Sequence, residues 1–147
     1  MPNWTGVDPA QWALNAIKKV EAAPRYIVEE MANSMAWTVT SGGFTPVDTG
    51  NLSRSVTIST TQVMRDDWGY HSPVRQDYGK AVEGITGDTT AFIGYKAAYA
   101  HRVNYGFVGT DSLGRYYNQS GRGFLEANVA KFDVIVAKAV KRLEFIK

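Results

Sequence analysis

The 147-residue chain contains no cysteine and only two histidines, His71 and His101. Without a thiol there is no disulfide, no thiolate zinc site, no iron–sulfur cluster and no cysteine nucleophile. Two histidines so far apart in sequence also argue against a histidine-rich metal centre. Charge of one sign is lacking too. Lys+Arg number 16 against 14 Asp+Glu, and the resulting +2 is too small to imply a nucleic-acid surface. Long hydrophobic runs are missing, since Lys or Gly interrupts every apolar stretch, so no segment is expected to span a membrane. The residues from Met1 to Thr5 have neither the basic nor the apolar region of a signal peptide. The expectation is a soluble protein of a cytoplasm-like compartment, or of a larger particle assembled there, with no cofactor and no metal.

What is present reads as a folded chain. Hydrophobic residues make up 44% and aromatics 12%, with 14 glycines for turns. The length suits one domain over residues 1–147, large enough to bury roughly 70% of its unfolded surface. Asp8-Pro9 is a helix start, followed by Trp12, Ala16, Ile17 and Val20, then Ile27, Val28, Met31 and Met35 at helical spacing. This predicts a long amphipathic helix over 8–40, kinked or restarted at Pro24 and ended by Ser41-Gly42-Gly43. A turn over 44–52 leads into an alternating strand, Ser55 to Val63.

Residues 64–80 are polar, aromatic and irregular, which predicts a functional segment or a projecting arm. Residues 81–85 and 90–95 flank Thr86-Gly87-Asp88-Thr89 as a hairpin. Ala97 to Tyr105 reads as a helical turn. Phe107-Val108 and Tyr116-Tyr117 flank a second hairpin loop, and a C-terminal helix covers 123–146. The predicted architecture is α+β: an antiparallel sheet, in a β-rich middle over 52–118, packed against long N- and C-terminal helices, with a projecting arm.

No residue set forms a catalytic signature. There is no Gly-x-Ser-x-Gly elbow. Asp66-Asp67 are adjacent and do not converge on one face. Neither Gly42-Gly43 nor Gly121-Arg122-Gly123 fits a phosphate-binding or dinucleotide motif. Lys138, Lys141, Arg142 and Lys147 are balanced by Asp133 and Glu144 and read as a solvated helix face. Tyr, Trp and Arg in exposed segments instead suit protein–protein contact. The candidate subunit or partner interface comprises Trp68, Tyr70, His71, Arg75 and Tyr78 on the arm, Tyr99 and His101, and Thr110, Asp111 and Arg115 on the hairpin loop.

Three segments carry a resemblance. Thr45-Pro46-Val47-Asp48-Thr49-Gly50-Asn51-Leu52-Ser53-Arg54-Ser55-Val56 resembles the "tPvdTGxLrxSi" segment of the tail-completion, or head–tail joining, proteins of long-tailed bacteriophages. Ala98 to Gly106 is similar to that family's "aYAxyvexG" segment, and Gly123 to Ala127 to its "pFLxpA" segment at the start of the C-terminal helix. Order and spacing match over roughly residues 8–145. Asn104 stands where an acidic residue is common and Gly123 where proline is common. The arm at 64–80 and the loop at 109–114 have no counterpart.

The resemblance implies a non-enzymatic virion protein of the neck or tail, assembled in the host cytoplasm. Such a subunit forms a homo-oligomeric ring at the head–tail junction and contacts other neck, connector and tail proteins. DNA passes through without sequence-specific binding. In this family the turn residues Thr45, Pro46, Val47, Asp48, Thr49, Gly50, Leu52, Arg54 and Ser55 link the first helix to the first strand. The alternatives are a small phage-associated hydrolase, which needs a cleft joining a histidine to a carboxylate, and a nucleic-acid-binding module.

Overall fold

The structure, a computed structural model, describes residues 6, 8–63 and 73–144. The architecture is α+β, with a long N-terminal helix, a C-terminal helical segment and two small antiparallel sheets. Helix α1 spans Pro9–Ala36. Its first turn is set as the sequence predicts: Asp8 accepts from the Ala10 N–H at 3.1 Å, and Pro9 takes the first helical position. Pro24 lies inside α1 without ending it. The carbonyl that proline leaves unpaired belongs to Val20, on a stretch open to water.

α1 ends at Ala36, four residues before the predicted limit, because Trp37 turns extended and Thr38 bridges to Thr45. Three of the last four helix carbonyls find partners there. The Ser34 carbonyl accepts from the Trp37 N–H at 3.2 Å. The Met35 carbonyl accepts from the Thr45 hydroxyl and, at 2.9 Å, from the Tyr95 hydroxyl. The Ala36 carbonyl accepts from the Ser53 hydroxyl. Side chains thus supply the donors that the helix end cannot supply to itself.

The turn then enters α2 (Asn51–Arg54) and strand β1 (Val56–Ser59). Gly50 has φ +82°, and a Cβ there would lie 2.8 Å from the Arg54 guanidinium, so both backbone and space require glycine. Arg54 is held over the turn by bonds to the Thr49 carbonyl at 3.1 Å and Asn51 Oδ1 at 2.6 Å. β1 is shorter than the predicted 55–63. Ser55 closes α2, and beyond Ser59 no strand pairing is formed among the described residues. The Gln76 amide binds both backbone groups of Ile58, at 2.8 and 3.1 Å, and so caps the free edge of β1.

The predicted hairpin over 81–95 does not form. Ala81 closes α3 (Tyr78–Ala81), and Val82 and Ile85 are buried three positions apart, joined by a turn from Ile85 N–H to Val82 carbonyl at 3.0 Å. That spacing belongs to a helical turn rather than to strand alternation. Strand β2 (Phe92–Tyr95) pairs instead with β1, placing Val56 opposite Tyr95. The predicted helical turn is α4 (Ala100–Tyr105), and the second predicted hairpin is β3 (Gly106–Thr110) with β4 (Tyr116–Ser120). The single predicted sheet is therefore two separate ribbons.

The C-terminal helix is divided into α5 (Phe124–Val129) and α6 (Phe132–Leu143). Asn128 explains the break. Its buried amide donates to the Phe124 carbonyl at 2.7 Å and its Oδ1 accepts from Ser34 at 2.8 Å, while the Lys131 N–H turns back to the Asn128 carbonyl.

The main core gathers Ala32, Met35 and Ala36 of α1 with Val56, Ile58, Tyr78, Val82 and Ile85. A second cluster holds Leu52, Ala97 and Phe124, with Tyr95 packed against both. Removing the Ser53 hydroxyl strands the Ala36 carbonyl and loosens Arg75, which donates to Ser53 at 2.8 Å. Ser53→Ala is expected to cost about 1–3 kcal/mol, read as a lower urea midpoint at unchanged slope. Thr45→Val is expected to cost less, because Tyr95 still serves the Met35 carbonyl.

Candidate interaction surface

The three segments that carry the family resemblance meet in space. Leu52 comes from the first, Ala100 and Val103 from the second and Phe124 from the third, and all belong to the second core cluster. Tyr95 meets Phe124 edge-on, with ring centroids 5.0 Å apart. Burial pushes the Tyr95 hydroxyl pKa far above its ordinary value, and its bond to Thr45 only partly opposes this, so it stays a neutral donor to α1.

The turn residues divide by role. Thr45, Leu52 and Ser55 are buried, Gly50 and Arg54 shape the turn, and Val47, Asp48 and Thr49 face outward. Ser55 donates to the Leu52 carbonyl at 2.7 Å. Pro46, Asp48, Tyr99 and Arg122 line a shallow hollow of about 380 Å³ beside the turn.

The residues singled out for contact scatter differently. Trp68, Tyr70 and His71 lie outside the described residues. Tyr78 is not a surface residue: it is 5% exposed in the main core, and its hydroxyl donates to the Val56 carbonyl at 3.0 Å. Burial raises its pKa, with Arg75 opposing. The sequence pointed to the surface because Tyr78 follows a polar stretch, but it opens α3, whose apolar side turns inward. Arg75 is exposed and tethered to Ser53.

Tyr99 and His101 are exposed on and beside α4. Burial of its hydroxyl surroundings, then the nearby Asp48 charge, raises the Tyr99 pKa. The His101 ring rests against Tyr105, with centroids 4.8 Å apart. Among the described residues no carboxylate is hydrogen-bonded to it, so the structure does not assemble a histidine–acid pair there. Nor do the described residues hold any group of three His, Cys, Asp or Glu placed to bind a metal, and none of their helices is long and apolar enough to cross a membrane.

The hairpin loop is built around Asp111. Its Oδ1 accepts from the Leu113 and Arg115 N–H groups, both at 2.9 Å, and its Oδ2 pairs with Arg115 Nε at 2.7 Å and with the Tyr117 hydroxyl at 3.3 Å. Thr110 opposite Tyr116 ends the ladder. All five β4 residues are exposed, so this is a stiff ribbon that displays its side chains. At its base Arg102 stacks on Phe107, 4.0 Å from the ring centre.

One exposed apolar surface was not among the sequence-predicted contact residues. Trp12, Leu14, Ile17 and Val20 of α1 are each more than half exposed. α6 runs alongside α1 only as far as residues 22–29, where Ala139, Arg142 and Leu143 share a hollow with Ala22, Tyr26 and Glu29. The helical spacing of Trp12, Ile17 and Val20 was legible in the sequence, but spacing alone reads as a core-facing stripe. What was missing is where α6 lies: the described part of it packs beside residues 22–29 of α1 rather than beside the earlier turns.

Against known proteins, the chain matches no family model, no curated protein and no solved structure.

The Arg115 backbone N–H, with help from its side chain, Leu113 and Tyr117, holds the Asp111 carboxyl below its ordinary pKa. A lowered folded-state pKa means that this anchoring is complete above the usual carboxylate value of about pH 4 and is lost as pH falls through the lowered value. Protection of the Leu113 and Arg115 amides, the exchange rate compared with the intrinsic rate at each pH, is expected to fall over that acidic range, and Asp111→Asn is expected to remove that fall.

Proposed function

We propose that the chain is a structural subunit of a tailed-bacteriophage neck. In this reading it is a tail-completion or head–tail connector component that closes into a ring around the DNA channel and acts by shape rather than by catalysis. The observation that carries the reading is the meeting of the three family-like segments in one cluster, Leu52 with Ala100, Val103 and Phe124. Segments far apart in sequence that resemble one family and then pack together behave as parts of one scaffold.

Two surfaces support a subunit that is incomplete alone. The uncovered half of α1, residues 9–20, extends about 18 Å at 1.5 Å per residue and exposes Trp12, Ile17 and Val20. The β3–β4 ribbon exposes every residue of one strand. In a ring each subunit meets the next through two different patches, and the rotation closes the contact. A helix end and a ribbon are two such patches. The net charge of +2 suits a channel that lets DNA pass without gripping it.

Cryo-electron microscopy of purified virions tests the reading. The expected result is density for α1 and the β3–β4 ribbon in a ring at the head–tail junction. A chain that remains monomeric and never enters the particle would overturn it. The double variant W12S/I17S should change unfolding stability by no more than about 0.5 kcal/mol, since both side chains are exposed. It should nonetheless block incorporation.

A further inference from the structure

A groove of about 630 Å³ runs between the end of α1 and α6. Its lining is unevenly charged. Arg75, Lys131 and Lys138 line it, with Glu30 as its only carboxylate among the described residues. Among the described residues none of the three cations has a carboxylate within ion-pair distance. Two of them are held in place by other contacts. Arg75 is tied by Nη2 to Ser53 at 2.8 Å. The Lys131 ammonium sits 4.6 Å from the Phe44 ring centre and 5.7 Å from that of Trp37. Lys138 follows Lys131 by seven residues, two helical turns along the same face of α6. Between the cations the floor is apolar, with Ile135 buried and Trp37 half-exposed.

We propose that this groove docks an acidic peptide segment of another protein, one that places a bulky apolar side chain between flanking carboxylates. The chemistry selects that occupant. Arg75 offers the planar fork that carboxylates accept in pairs, and the lysines offer point charges on either side of the apolar floor. Duplex DNA fits less well, because its bases are stacked inward and its phosphate surface has no apolar group to bury on the floor. A second copy of this chain carries 16 Lys+Arg against 14 Asp+Glu and so offers the groove no net negative charge. The inference does not depend on the neck reading, since docking can be measured whether or not the chain forms rings.

The test is fluorescence polarisation with the full chain and a dye-labelled peptide, Asp-Glu-Asp-Leu-Glu-Asp-Glu, at low salt. Binding is expected and should weaken as salt rises. K131E and K138E should each weaken it about fivefold, as reversal of a partly exposed charge does. K141E, on α6 but outside the groove lining, should weaken it by less than about twofold on the same scale. Circular dichroism of the variants confirms that they fold, and a variant that does not is replaced by the milder Lys131→Gln or Lys138→Gln.

Several outcomes would overturn the proposal. One is no binding at millimolar peptide. Another is equal weakening by K141E and K138E. A third is a single-stranded DNA 7-mer, or the same peptide with Ala in place of Leu, binding as well as the test peptide. The last is loss of peptide binding as the chain self-associates through the groove.

Discussion

The end of α1 is the constraint on which the rest of the fold depends. A helix leaves its last carbonyls without intrahelical donors, and burying such groups unpaired costs about 1–3 kcal/mol each. Here the end is buried: Met35 and Ala36 are 3% exposed. The donors come from three separate places, Thr45 in the turn, Ser53 in α2 and Tyr95 in β2. Each bond therefore positions a different part of the chain against the same helix terminus. β1 is placed because it follows Ser53, and β2 because Tyr95 must reach Met35. The chain returning at residue 75 is placed because Arg75 binds the same Ser53 hydroxyl. The motif Thr45 to Ser55 is thus chiefly a device for ending one helix and starting one strand.

The two departures from the family-like pattern are explained by one another. Asn104 is buried, its amide donates to both Glu126 oxygens at 2.9 and 3.1 Å, and its Oδ1 accepts from the Leu125 N–H at 2.9 Å. An acidic residue there would face the Glu126 carboxylate with no proton to offer. The Asn104 bond also holds the Glu126 pKa below its usual range, so the carboxylate is the form the fold selects. Gly123 has φ +60°, and its N–H donates to the Asn104 carbonyl at 3.0 Å. Proline can supply neither that angle nor that proton. Asparagine at 104 and glycine at 123 are two halves of one joint between α4 and α5.

Much of the fold was legible because it rests on local chemistry. The Asp8-Pro9 start, the turn, α4 and the β3–β4 hairpin follow from capping, turn residues and alternation within a few positions. The errors lie where a distant partner decides. Residues 81–85 carry enough β-branched character for a strand, but β1 takes β2 and leaves them to close α3. The C-terminal helix breaks because Asn128 bonds Ser34, 94 residues away. Tyr78 was read as a contact residue for the same reason, since nothing near it in sequence reveals the pocket formed by Val56 and Val82. The groove was invisible: Arg75, Lys131 and Lys138 are scattered charges until α1 and α6 lie side by side.

The distribution of apolar surface divides α1 in two. The C-terminal half of α1 is satisfied by β1, α3, α5 and α6, and its carbonyls are capped, so the fold does not depend on the first three turns. Those turns have the apolar stripe of a packed helix without its partner, and they sit beyond the last turn of α6. Separating the two halves lets one helix anchor a core and still present about 18 Å of uncommitted surface. A shorter helix would lose the contact surface. Among the described residues, the difference in length between α1 and α6, with Asn128 dividing the C-terminal helical segment, therefore leaves the first turns of α1 exposed beside a capped and packed helix end.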